Sequence, residues 1–195
     1  MLRTLSLLLL VAALASFAVS LARISFSPAF IAELQQVPSL GKLPAACVSG
    51  GIASYSGLAL ALGGNPSVNS ACLTQVRDAG QANLGVQPFA LLGLLAVLAA
   101  GAVCAWAPRL WRLVSGALCL VAVGLLVMTT LNLGEVFARH FTRGSDAVAS
   151  GPDLGLWVTC GPLLLVVLAQ VGSVGLEWAR EALAPLEQGD ERLHR

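Results

Sequence analysis

The chain has 195 residues, of which 57% are hydrophobic and only 11% charged, against about 45–50% and about 25% in ordinary soluble domains. A soluble domain so poor in charge cannot cover its surface with polar groups, so the composition excludes an ordinary water-soluble fold. The net charge is +1 with no basic stripe, so nothing is present to neutralise phosphates and no nucleic-acid partner is implied.

The charges punctuate four runs that contain no Asp, Glu, Lys or Arg: 5–22, 86–107, 113–134 and 154–176, of 18, 22, 22 and 23 residues. A bilayer core about 30 Å thick takes roughly 20 helical residues at 1.5 Å each. All four runs therefore predict membrane-spanning helices, with backbone polar groups satisfied inside each helix. The first run also reads as a secretory signal peptide. It follows Arg3 and ends in the small-x-small sequence Ser20-Leu21-Ala22, although it exceeds the usual apolar length of about 7–15 residues for such a region.

With the N-terminus in the cytoplasm, the inside segments 1–4, 108–112 and 177–195 hold six basic residues in 28 positions. The outside segments 23–85 and 135–153 hold five in 82. This imbalance predicts a protein of the cell membrane with both termini cytoplasmic and 177–195 as a cytoplasmic tail. Trp106, Trp111 and Trp178 fall at the inner ends of the predicted helices and Trp157 near the outer end of the last, as expected of an interfacial aromatic belt. Pro108, between the second and third runs, stops one helix and forces a tight antiparallel turn into the next.

The outer loop 23–85 is the one sizeable extramembrane piece. Ser27-Pro28 reads as a helix start, with Phe30, Leu34 and Val37 recurring on one face before Pro38 and Pro44. Between Gly50-Gly51 and Gly63-Gly64 lies the apolar stretch 52–62, too short to span and suited to a surface helix packed on the outer face or a re-entrant segment. Cys47 and Cys72 both lie in this loop, whereas Cys104, Cys119 and Cys160 lie inside apolar runs. An outer loop faces an oxidising compartment, so a Cys47–Cys72 disulfide is expected, contributing about 3 kcal/mol by loop-closure entropy. The chain has no C-x-x-C pair of the kind used in thiol redox sites. The expected fold class is thus an all-α membrane protein, a four-transmembrane-helix bundle with a disulfide-stapled extracytoplasmic loop between helices 1 and 2.

Chemistry-bearing residues are scarce. Only His140 and His194 exist, placed on opposite faces by this topology, so no metal site and no cofactor are expected. No G-x-S-x-G elbow and no phosphate loop occurs. The runs carry no ionisable side chain, which argues against proton or ion coupling through the bundle. Gln87, Thr129, Asn132, Glu135, Arg139 and Thr159 fall at similar depth and could form a polar patch at the outer mouth. Ordinary interhelical hydrogen bonding accounts for them as well. Small residues, among them Gly93, Ala96, Ala100 and Gly101 in the second run, Ser115 and Cys119 in the third, and Ala169, Gly172 and Ser173 in the fourth, predict close helix approach, within the chain or with another subunit.

Four helices with both ends inside, a long first outer loop with a cysteine pair, and a shorter second outer loop resemble the claudin and peripheral-myelin tetraspan arrangement. The resemblance is one of architecture. That family carries a Trp and a Gly-Leu-Trp ahead of its first-loop cysteines, whereas this first loop has no Trp and Gly155-Leu156-Trp157 opens the last run. Ten Arg against one Lys, with abundant Ala, Leu, Gly and Val, suggests a GC-rich, bacterial source. Absence of catalytic groups beside small-residue faces points to a non-enzymatic accessory, assembly or scaffold subunit whose partners are the lipid bilayer and a membrane protein or a second copy. A small oligomeric channel or transporter, and a membrane thiol-disulfide oxidoreductase using Cys47, Cys72 and Cys160, are the competing classes.

Overall fold

The computed structural model describes residues 2–36, 51–69, 83–106, 111–140 and 148–193. Cys47 and Cys72, the expected disulfide pair, lie outside the described residues. Within them the chain is mostly helical. In order it forms α1 (Leu2–Ser16), β1 (Ser20–Phe26), α2 (Pro28–Gln36), β2 (Ala53–Ser56), α3 (Gly57–Leu62), β3 (Ser67–Val68), α4 (Pro88–Trp106), α5 (Trp111–His140), β4 (Val148–Pro152) and α6 (Leu154–Leu193).

Among the described residues three helices are long and apolar enough to cross a membrane, over Pro88–Trp106, Trp111–Phe137 and Leu154–Ala179. α1 has 15 residues, about 22 Å at the helical rise. It lies against α4 and α6, α4 packs on α5, and α5 on α6. The interior is built from small and aliphatic side chains: Leu10 and Ala13 of α1, Val97 and Ala100 of α4, Cys119 and Leu126 of α5, Leu163 and Val166 of α6. The outside is as apolar as the inside. Leu92, Leu95 and Leu98 of α4, Leu131 of α5, and Leu164 and Leu168 of α6 are all exposed. An apolar belt of this extent is intolerable in water and natural against hydrocarbon.

The expectation of an all-α fold is corrected. At one end of the helices sits an antiparallel sheet in the order β3-β2-β1-β4, assembled from both connections that the sequence places outside. The first apolar run therefore ends early: α1 stops at Ser16 and residues 20–22 open the central strand. In β1, consecutive Leu21 and Ala22 are both buried because the pairing with β2 shifts register between Ser20 and Ala22. Such a bulge turns two neighbouring side chains to the same face, and an apolar pair of this kind reads as continued helix in a sequence.

The stretch 52–62, expected as one surface helix or a re-entrant segment, splits in two. Ala53 and Tyr55 point inward and alternate with half-exposed Ser54 and Ser56, which is the strand period. Burial holds the Tyr55 phenol above its ordinary pKa, so it stays protonated. Ser56 then caps α3, its hydroxyl accepting from the Ala59 amide at 3.1 Å, and Gly63 ends it in the left-handed region at φ 77°. The Ser27-Pro28 helix start is as read, with Ser27 Oγ accepting from the Phe30 amide at 3.2 Å. α5 continues to His140 and α6 to Leu193, so the expected cytoplasmic tail begins as a direct extension of α6.

α6 meets β1 at Gly155, where an added Cβ would stand 2.3 Å from the Ser20 carbonyl oxygen. The atoms it would meet, the Ser20 carbonyl and the Leu21 amide nitrogen, are backbone and cannot yield locally. Gly155→Ala is expected to cost about 1–3 kcal/mol through overpacking. Gly161→Ala in the same helix, where a Cβ meets nothing within 4 Å, is expected to be neutral or to stabilise by up to about 1 kcal/mol. Thermal unfolding of the two variants in the same detergent separates these outcomes.

Candidate functional site

The polar side chains that do most to position the elements collect at the two ends of the helices. At the sheet end, Asp153 directly precedes α6 and caps it, Oδ1 accepting from the Leu154 amide at 2.9 Å. Its backbone amide donates to Leu21 of β1 at 3.1 Å. The Ser20 hydroxyl donates to Oδ2 at 2.6 Å, and the Arg23 guanidinium reaches Oδ1 at 3.1 Å. One carboxylate thus serves a helix N-terminus, where the dipole favours negative charge, and two residues of the central strand. Burial works to raise its pKa, but the Ser20 hydroxyl, the Leu154 amide and Arg23 together hold the carboxyl below its ordinary value.

At the other end, Arg3 of α1 donates through Nε to the Cys104 carbonyl at 2.6 Å and through a terminal nitrogen to that of Ala105. A cation therefore satisfies the orphan carbonyls that close α4. Arg112 of α5 pairs with Glu177 of α6 at 2.5 Å and stands over the Trp111 ring at 5.8 Å. Between the two ends, buried hydroxyls and amides link helices. Ser16 and Thr159 share a hydrogen bond of 2.7 Å between α1 and α6. Gln170 Nε2 donates to Ser115 Oγ at 2.8 Å between α6 and α5.

Of the six residues expected to form a polar patch, Glu135 and Arg139 pair with each other, while Thr129, Thr159 and Gln87 bond elsewhere. Thr129 donates to Leu125 of its own helix, Thr159 to Gly155 and toward Ser16, and Gln87 to the Leu84 carbonyl. Glu135 and Arg139 form an exposed pair at 3.6 Å within one helix. Asn132, half-exposed, sits on α5 one residue before Leu133, which is buried beneath the sheet end. The expected small-residue contacts divide as well. A Cβ on Gly93 would touch Leu126 of α5 at 3.3 Å, whereas Gly101 and Gly172 face open space.

The hydrogen-bonding roles of Ser16, Ser20, Arg23, Ser115 and Asp153 escaped the sequence reading. Asp153 carried a usable signal, being an acidic residue immediately before an apolar run and hence an N-cap. Nothing local marked its strand partners, which lie 130 and 133 positions away.

Among the described residues no group of three or more His, Cys, Asp or Glu comes together as a metal site. Cys104, Cys119 and Cys160 are buried free thiols. Two concavities lie among the described residues. One of about 140 Å³ lies on the sheet between Arg23, Ser54, Ser67 and Asn69. A larger one of about 500 Å³ opens between α5 and α6 near Arg112 and Trp178.

Because the folded-state pKa of Asp153 is depressed, its contribution to stability is present above the ordinary carboxylate range and is lost as pH falls through that range toward the depressed value. Asp153→Asn is expected to flatten the acid limb of a stability–pH profile. Asp153→Ala, which strands the Ser20 hydroxyl and the Leu154 amide, is expected to cost about 1–3 kcal/mol at neutral pH. Melting temperatures across an acid series check both.

The chain matches no family model, no curated protein and no solved structure.

Proposed function

We propose that this is a non-enzymatic, multi-pass protein of the cell membrane that acts as an accessory, assembly or scaffold subunit of a membrane complex. The observation that carries the reading is the sheet. Strands from two connections more than a hundred residues apart are fixed to α6 through Asp153 and to α5 through Ser150, whose hydroxyl donates to the Thr130 carbonyl at 3.0 Å. An extramembrane platform with two strand edges, standing on helices whose buried polar groups serve packing, is suited to holding another protein. Strand edges are a standard means of adding a partner chain.

In this reading all four helices span. α1 engages the last turn of α4 through Arg3 and reaches Thr159 through Ser16, within about 8 Å of the start of α6. It therefore runs beside its neighbours for most of their crossing length. The basic imbalance between the two sides sets both termini in the cytoplasm, and a Cys47–Cys72 disulfide closes the first outer loop. Cleavage after Ala22 would cut the strand Ser20–Phe26 in two, which supports retention of α1.

Three measurements test this reading. Purification in mild detergent is expected to bring down a membrane protein in fixed ratio; a lone monomer overturns the subunit role. The N-terminal peptide of the membrane-integrated protein is expected to begin within α1, and a mature start after Ala22 excludes the fourth span. Alkylation of the denatured, unreduced chain is expected to label three of its five cysteines. Labelling of all five removes the disulfide.

A further inference from the structure

The groove between α5 and α6 has dimensions and a charge pattern that identify an occupant. It is about 500 Å³ in volume, within the range of small-ligand sites, and its walls are almost wholly apolar. Along α6 it runs from Trp178 to Val167, and along α5 from Arg112 to Leu120, about 16 and 12 Å at the helical rise. Half of a bilayer's hydrocarbon core is about 15 Å. The groove therefore covers one leaflet, from the interface to the midplane. A partner helix crossing the whole membrane would need a groove twice as long, whereas a lipid chain needs one of this length.

Its floor is specifically built. Gln170, 2% exposed, lies across it, held by Ser115, and its amide fits there because residue 116 is glycine. A Cβ there would stand 2.7 Å from Gln170 Oε1. At the mouth a cation and an anion lie side by side, Arg112 and Glu177, with their side chains 31% and 56% exposed, next to the exposed Trp178 ring.

Resting on the membrane assignment above, we propose that this groove binds a glycerophospholipid with a primary ammonium headgroup from the leaflet at the Arg3 end. One acyl chain lies between α5 and α6, the phosphate meets Arg112 and the ammonium meets Glu177. The paired charges at the mouth match this zwitterion. A guanidinium engages phosphate oxygens through two donors, and the carboxylate accepts from the ammonium protons. A choline headgroup has no such protons to give, and a glycerol headgroup would leave Glu177 facing net negative charge.

The test uses the full chain in nanodiscs of equimolar phosphatidylethanolamine, phosphatidylcholine and phosphatidylglycerol with identical acyl chains, extracted into mild detergent for native mass spectrometry. One retained phosphatidylethanolamine per chain is expected, enriched about fivefold over the other two, the scale of one half-exposed charge contact. Ala117→Phe, at an exposed position on the groove wall, is expected to abolish the adduct while leaving the elution profile and helical circular dichroism unchanged. Glu177→Gln is expected to retain an adduct but lose the preference for ethanolamine over choline. Arg112→Gln is expected to weaken retention of all phosphatides alike. Equal retention of the three headgroups, an adduct that survives Ala117→Phe, or a groove-dependent dimer in place of an adduct each overturns the proposal. Resistance of the chain to alkaline carbonate extraction reports membrane integration independently, so failure of the groove and failure of the membrane reading are distinguishable.

Discussion

Asp153 is the constraint on which the arrangement of the sheet and helices depends. A helix entering the membrane needs its first amides satisfied, because lipid offers no partner, and Asp153 supplies an acceptor at the head of α6. The same carboxylate receives Ser20 and Arg23 of β1, so satisfying the helix also sets the central strand. From there the register follows. β1 holds β4 on one side and β2 on the other, and Gly155 lets the first turn of α6 approach the backbone of Ser20. A side chain at that position would separate the two elements that Asp153 joins.

Polar contacts among the helices obey a related rule. Van der Waals packing of small residues supplies most of the close approach in a bilayer, because lipid is as apolar as the helix faces. Hydrogen bonds then select among the rotations that packing allows. Ser16 with Thr159, and Ser115 with Gln170, fix α6 against α1 and α5. Arg3 at the closing turn of α4 fixes the axial position of α1. These contacts account for Thr159, while Thr129 and Thr130 turn to their own helix and Gln87 to a nearby carbonyl.

The two faces of the molecule divide its proposed roles. At the sheet end, strands from two distant connections join with β3 and β4 as the outer strands among the described residues. At the Arg3 end, α5 and α6 separate over one leaflet, leaving a cleft with a zwitterionic mouth. A subunit that holds one partner outside while retaining a lipid on the opposite side would have its two binding surfaces separated by the thickness of the membrane.

The sequence by itself determined the helices long enough to cross a membrane, since length and the cost of charge in hydrocarbon leave few alternatives for runs such as 86–107 and 154–176. It also determined local starts and stops, as at Ser27-Pro28, because a cap and its helix are neighbours in the chain. The sheet was a tertiary decision. Leu21-Ala22 continues an apolar run and becomes strand only because a bulge buries both residues between β2 and β4. The alternation Ala53-Ser54-Tyr55-Ser56 is too short to stand out within 52–62. Asp153 stands where an N-cap belongs, a local signal, but its partners Ser20 and Arg23 could be found only once the fold had brought the two connections together. Strand pairing and interhelical hydrogen bonds join residues far apart in sequence, and no local pattern encodes which distant residue will answer.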